Sequence, residues 1–410
     1  MPSGMTLRPF PSAALLAALL LIAACSPTPE NTPAGTTAAP PATTPAGPSV
    51  ATPLVARVVA APIPVPLTDG KVHLAYELQL TNTLAQDLTL TSVDVRSGDR
   101  TLLSLPGDRL DYWTRIIGST SPTTTIGPAQ TAFVWLDVAL DPDQVVPDQL
   151  THAVGISVPQ PMPPLFPAAM TEDVAPVTVQ TTEPIVISPP LTGQNWLDLN
   201  GCCGMTSHRM ALNPINGELW AAERFAIDYL QLGPDGRVFT GEMTDVASYQ
   251  FFGADILAVG DGPVVSTRDD LPEQVPGTLP TGLALDEYGG NHIVQDLGGG
   301  NFAFYAHLKT GGVKVQPGDQ LTAGQVIGAL GNSGNTDAPH LHFHIMNTPD
   351  PLRSDGLPFV FSSFQLDSRL ADTAQDLPDG GPLPLEPGFV PRDEKNTGPM
   401  LDDVMTYADR

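Results

Sequence analysis

Residues 335–345 read NTDAPHLHFHI and place three of the chain's eight histidines, His340, His342 and His344, on alternate positions. On a strand rising about 3.3 Å per residue, positions two apart share a face, with Cβ atoms about 6.6 Å apart. The three imidazoles then line one face, and Leu341 and Phe343 point into the layer behind them. Pro339 and the turn-forming GNSGN at 331–335 steer the chain into this strand. Imidazoles on neighbouring same-face positions can converge on one ion, at Zn–N distances of about 2.0–2.1 Å. The competing reading is three histidines on a solvated strand, and the residues of this strand alone do not say whether His340 or His342 holds an ion.

The surrounding composition suits a mostly-β protein: 45 Pro and 38 Gly punctuate the chain, and only 15% of it is charged. At 410 residues there is room for two domains plus tails. KVHLAYELQL at 71–80 alternates Val72, Leu74, Tyr76, Leu78 and Leu80 with mostly polar partners, the period of a half-buried strand. DLTLTSVDV, TAFVWLDVAL and HAVGISV follow with turns between them, which predicts a β-sandwich over 53–185. His73 and His152 fall inside these strands without partners at ligand spacing and read as structural. A second β-rich domain is expected over 190–365. Residues 366–410 read as an acidic flexible tail with a short helix near LDDVMTYADR.

The first 25 residues carry one basic residue, Arg8, and then AALLAALLLIAAC, too short an apolar run for a spanning helix and typical of a secretory signal. Its end, Ile22-Ala23-Ala24-Cys25, resembles a bacterial lipobox. That resemblance implies lipidation of Cys25, export to the cell envelope and a lipid tether, inner or outer membrane unspecified. An ordinary signal peptide is the alternative. The Pro/Thr/Ala-rich stretch 26–52 has too little apolar surface to fold and reads as a linker, reaching up to roughly 80 Å at about 3.1 Å per residue. Acidic residues outnumber basic ones by 44 to 18, a formal charge of −26 that repels phosphate backbones, so nucleic acid is excluded as a partner.

Upstream of the histidine strand, residues 206–232 read TSHRMALNPINGELWAAERFAIDYLQL, and 290–343 contain YAHL, GQVIGALGNSG and PHLHF in that order. In this order the motifs resemble the lysostaphin-type zinc metallopeptidases, over about 205–346. The resemblance implies a β-rich peptidase domain, a Zn²⁺ cofactor and peptidoglycan peptide as substrate. Carried over by position, it makes His208, Asp228 and His342 the metal ligands, and His307 and His340 the catalytic pair. Two imidazoles and one carboxylate leave zinc one net positive charge and an open position, the donor set of a hydrolytic site.

Two features depart from the family. His208 and Asp228 stand twenty residues apart where the family has four, so the assignment of His208 needs a hairpin turning at NPING to bring the two ends together. His344 stands where the family commonly has an acidic or amide residue; it reads as an outer contact orienting His342, as a substrate contact or as an exposed edge histidine. Arg224, four before Asp228, is a second candidate outer residue, pairing with Asp228, with a substrate carboxylate or structurally elsewhere.

Other motifs read more simply. Cys202 and Cys203 are adjacent, open to a vicinal disulfide, free thiols or metal contact. DLGGGN at 296–301 reads as a tight turn, and His292 as a strand residue beside the site. The Gly-bounded strands GADILAVGDG and GQVIGALG resemble biotinyl or lipoyl carriers but lack the lysine a carrier needs. No HExxH, CxxC or GxSxG occurs. Beside the hydrolase, two other functions fit the sequence: a non-catalytic wall-binding or hydrolase-regulating module of the same fold, and a periplasmic zinc-binding lipoprotein.

Overall fold

The alternation at 71–80 forms the strand Val72–Asn82, paired with Leu54–Val58 on one side and Thr131–Leu140 on the other. A computed structural model of the chain describes residues 50–371 and 380–408; the signal segment, Cys25 and nearly all of the 26–52 linker lie outside the described residues. A second sheet runs Ala169–Thr178, Gln149–Ser157, Leu88–Ser97, Arg100–Pro106. Leu74, Tyr76, Leu78 and Leu80 are fully buried and share one core with Leu90, Val93, Val154 and Ile156 of that second sheet. Burial of each such side chain stabilises by about 1.5–3 kcal/mol, which fixes the register of the strand.

The opposite face of Val72–Asn82 is buried as well. Ala75 joins a small cluster with Cys202, Cys203, Phe225 and Val360 from the second β region, and Glu77 has no exposed surface. The alternation described one face correctly and underestimated the other, because a second layer covers it. His73 is held between Asp137 at 2.9 Å and Asp69 at 3.1 Å. Burial opposes its charge, and the two carboxylates nonetheless raise its pKa. His152 meets the Tyr76 hydroxyl at 2.9 Å, and burial lowers its pKa.

The second region is built on one broad sheet. Its central strands lie in the order Asn291–Gly298, Asn301–Leu308, Leu341–Met346, Ile227–Gln231, Gly193–Leu199, Asp403–Tyr407, Phe364–Arg369. The DLGGGN turn joins the first two, with Gly298, Gly299 and Gly300 all at positive φ. The two Gly-bounded strands pair with each other, Asp255–Leu257 against Val326–Ala329. Leu341, Phe343 and Ile345 are fully buried behind the histidine face. Strands occupy 46% of the described residues and helix 4%, so the fold is mostly β.

The C-terminal segment differs from its sequence reading. Asp403–Tyr407 is a strand and not a helix, paired with Gly193–Leu199 and Phe364–Arg369, and Val404, Met405 and Tyr407 are buried. The acidic composition that suggested a solvated tail is neutralised locally. The Asp403 carboxylate pairs with Arg369 at 2.6 Å and also meets the Thr68 hydroxyl of the sandwich. The second β region therefore extends to residue 407. Residues 372–379 lie outside the described residues.

Candidate metal centre

Three neighbouring strands set the floor of the site. His342 lies directly across from Asp228 on one side and from Ala306 on the other. Cross-strand partners project to the same face, so Asp228 and His342 meet there, with His342 Nδ1 at 3.0 Å from Asp228 Oδ1. His340 precedes this strand, and its Nε2 lies 3.3 Å from the same oxygen.

His208 arrives from the twenty-residue excursion. It sits in the one-turn helix Ser207–Met210, whose N-cap Thr206 accepts from the Arg209 amide. Asn213–Ile215 and Glu218–Trp220 then form the hairpin, with Asn216 and Gly217 at φ of 53° and 84°. Positive φ at both turn positions is the type I′ arrangement that Asn-Gly favours. The chain so returns that His208 Nε2 stands 3.2 Å from Asp228 Oδ2. His307, in Asn301–Leu308, has φ of +58° at an irregularity in its pairing with Asn291–Gly298. A non-glycine residue in this region is a strained conformation of the kind that clusters at functional sites.

Each imidazole has its outer nitrogen engaged. Nδ1 of His208 bonds the Ala226 carbonyl at 3.0 Å, that of His307 the Ser333 carbonyl at 2.8 Å and that of His340 the Ala338 carbonyl at 2.8 Å. A carbonyl only accepts, so each Nδ1 donates, and in the neutral ring Nε2 keeps its lone pair. His342 is reversed: its Nε2 meets His344 Nδ1 at 2.9 Å, which leaves Nδ1 for the cluster. His344 is 1% exposed and stacked near Phe304, so it is a buried outer contact of His342 rather than an edge histidine.

The electrostatics follow from one carboxylate among imidazoles. Burial opposes charge on His208, yet Asp228 and Glu223 raise it to about 9. Burial also opposes ionisation of Asp228, but His208 and His340 hold it well below the usual carboxylate range. His307 is pushed well below the ordinary histidine value by burial and by the neighbouring His340 and His342, and so is neutral at pH 7. His340 is raised, Asp228 outweighing burial.

Arg224 does not act on Asp228. Its guanidinium is buried and pairs with Glu77 of the sandwich, Nε lying 2.8 and 3.0 Å from the two carboxylate oxygens. A cation removed from water needs a carboxylate at contact distance, and Glu77 supplies it. His292 lines the groove and bonds the Gly290 carbonyl through Nδ1. Cys202 and Cys203 are disulfide-bonded to each other and buried. Sequence reasoning missed Asn200, whose side chain donates to Asp228 Oδ2 at 2.9 Å. It precedes Gly201 and so reads as an ordinary turn residue; only the pairing of Leu199 with Asp228 brings it to the site.

The ligating atoms of His208, Asp228 and His342 lie within 4.8 Å of one another, as do those of His307, His340 and His342. The first group has two nitrogen lone pairs and a carboxylate, the donor set that suits zinc in a hydrolytic site; the second has no anionic ligand. Above both opens a groove of about 1360 Å³, also lined by Tyr112, Tyr249, Tyr288 and Leu352.

Residues 244–354 match the description "Peptidase family M23". The chain carries an M23 peptidase domain. The matched residues include His307, His340 and His342, while His208 and Asp228 lie upstream of them. Lysostaphin from Staphylococcus simulans is 40% identical over 78 residues, 18% of this chain and 15% of that protein. Peptidoglycan DD-endopeptidase ShyA from Vibrio cholerae is 29% identical over 102 residues, 25% of this chain and 20% of that protein. Both matches thus span a fifth or less of the relative's length. Among solved structures, the catalytic domain of the antimicrobial peptidase lysostaphin from Staphylococcus simulans is 22% identical with a TM-score of 0.22, covering 41% of this chain and 88% of that one.

Proposed function

We propose that this M23 protein is a zinc-dependent endopeptidase that hydrolyses peptide bonds in peptidoglycan, exported and held to a bacterial membrane by lipid on Cys25. The observation that carries the peptidase reading is the Asp228 carboxylate faced by His208, His340 and His342, with Nδ1 of His208 and of His340 tied to backbone carbonyls and Nε2 of His342 held by His344. His208 Nε2, an Asp228 oxygen and His342 Nδ1 are the atoms that hold zinc. Bound there, zinc supplies Lewis-acid polarisation and activation of water.

The other two histidines serve the substrate. With Nδ1 tied to a backbone carbonyl, His307 and His340 each present Nε2 to the groove, their ring centroids 4.7 Å apart. The neutral His307 can take a proton at Nε2 and return it to the leaving amine. His340, whose pKa the Asp228 carboxylate raises, can when protonated donate from Nε2 to the oxygen that gains negative charge. Such proton transfers and hydrogen bonds are worth about 10²–10⁴ in rate.

The full chain incubated with purified peptidoglycan sacculi is expected to release fragments with new amino termini by mass spectrometry. Chelation should stop the release and added zinc restore it. Zinc-loaded protein that releases nothing would make the chain a binding module. For the tether, Cys25→Ala is expected to move the protein from the membrane to the soluble fraction; a variant that still pellets after salt and carbonate washes excludes the lipid anchor.

A further inference from the structure

The N-terminal sandwich reaches the metal centre through two buried side chains. Glu77 and Trp135 are direct cross-strand partners in its Val72–Asn82 and Thr131–Leu140 strands. Both point into the second β region, at 0% and 3% exposure. The Trp135 indole Nε1 donates to the carbonyl oxygen of Arg209 at 2.6 Å, the residue following His208. The Arg209 guanidinium returns the contact, bonding the Leu136 carbonyl at 3.3 Å and standing 4.0 Å from Glu77. On its other side Glu77 binds Arg224, four residues before Asp228. One carboxylate of the sandwich thus lies between both ends of the excursion that separates His208 from Asp228.

The chemistry of the site requires this kind of support. In the short-spaced family pattern four residues join the first histidine to the aspartate, and the backbone alone limits where the two can go. Here the two stand twenty residues apart, and His208 sits in a single helical turn that has little stability of its own. Within the second region His208 is tied down by its own Nδ1 bond to Ala226 and by the Thr206 cap. Arg209 and Arg224 bond the Cys203 and Gly356 carbonyls of their own region, and in addition both are held from the sandwich, Arg209 by backbone and side chain and Arg224 by side chain.

We infer that Glu77 and Trp135 are positioning residues of the zinc site, so that the sandwich completes the metal centre rather than merely preceding it. The inference rests on the reading that His208 and Asp228 hold the metal. Partners that bond a metal ligand directly typically affect metal affinity by about 10–100-fold; Glu77 and Trp135 act one step further out, through Arg209 and Arg224, which places their effect at the lower end.

The test uses the full chain as wild type, Trp135→Phe, Glu77→Gln and Val93→Ala, the last a core truncation of the sandwich away from the contact. Trp135→Phe removes one donor and keeps the ring, so it decides the question even if Glu77→Gln, which leaves two guanidinium groups short of a counter-charge, fails to fold. Thermal midpoint, zinc affinity by chelator competition and the visible spectrum of the cobalt-substituted protein are recorded for each. Trp135→Phe is expected to weaken zinc binding by about 10-fold and to shift the cobalt bands, whereas Val93→Ala lowers the midpoint with affinity and spectrum unchanged. Wild-type zinc affinity and cobalt spectrum in Trp135→Phe would overturn this inference while leaving the zinc site standing. A wild-type chain that takes up no zinc would overturn the reading of the site itself, and this inference with it.

Discussion

Asp228→Ala is expected to drop zinc from about one per chain to near zero and to reduce hydrolysis by on the order of 10³-fold or more, since it removes one of three protein ligands. Among the described residues, no other carboxylate is grouped with the ligating atoms of His208 and His342. The Asp228 oxygens lie 3.0 to 3.3 Å from nitrogens of His208, His340 and His342, and Asn200 donates to it as well. Without the carboxylate, the remaining candidates are imidazoles and one amide, and the ion loses the only negative charge among its proposed ligands. The same deletion removes the group that raises His208 to about 9, so the loss of metal cannot be attributed to a proton newly retained on that ring. Metal content of the purified variant, measured beside turnover and a thermal scan, checks this. A variant with full zinc occupancy would remove Asp228 from the ligand set.

His307→Ala is expected to keep its zinc and lose about 10²–10⁴ in turnover. Its Nδ1 is occupied by the Ser333 carbonyl, and its ring lies 5.7 Å from that of His342. No contact ties it to Asp228 in the way that His340 is tied. His340→Ala is the less separable case, because its Nε2 approaches the same Asp228 oxygen as His342 Nδ1 does. It too is expected to retain metal, since His208, Asp228 and His342 remain. The variants are compared by elemental analysis and by rate on the same substrate. Loss of zinc from His307→Ala with retention in His342→Ala would exchange their roles.

Much of this was legible in the sequence, and what was not has identifiable causes. The period-two placement of His340, His342 and His344 pointed to the strand Leu341–Met346, which His340 immediately precedes, and to its buried reverse face, while leaving open which imidazole holds an ion. The Asn-Gly pair at 216–217 gave the hairpin that returns His208 toward Asp228, because few residues other than these adopt two successive positive φ values. Arg224 was ambiguous from sequence because spacing along one chain cannot reveal a carboxylate 147 residues away. The strand Asp403–Tyr407 was missed because composition averages over a segment, whereas Asp403 is neutralised by a single arginine. Asn200 and the carbonyls of Ser333 and Ala338 reach the site through backbone geometry alone, which carries no residue-specific signal.

Two overlapping groups of ligating atoms share His342, and only one of them contains a carboxylate. Anomalous diffraction from crystals of the zinc-loaded full chain, collected on both sides of the zinc absorption edge, distinguishes them directly. The expected result is one strong peak within about 2.0–2.2 Å of His208 Nε2, an Asp228 oxygen and His342 Nδ1, with His307 and His340 uncoordinated. A peak among His307, His340 and His342, or none in the groove, would contradict it.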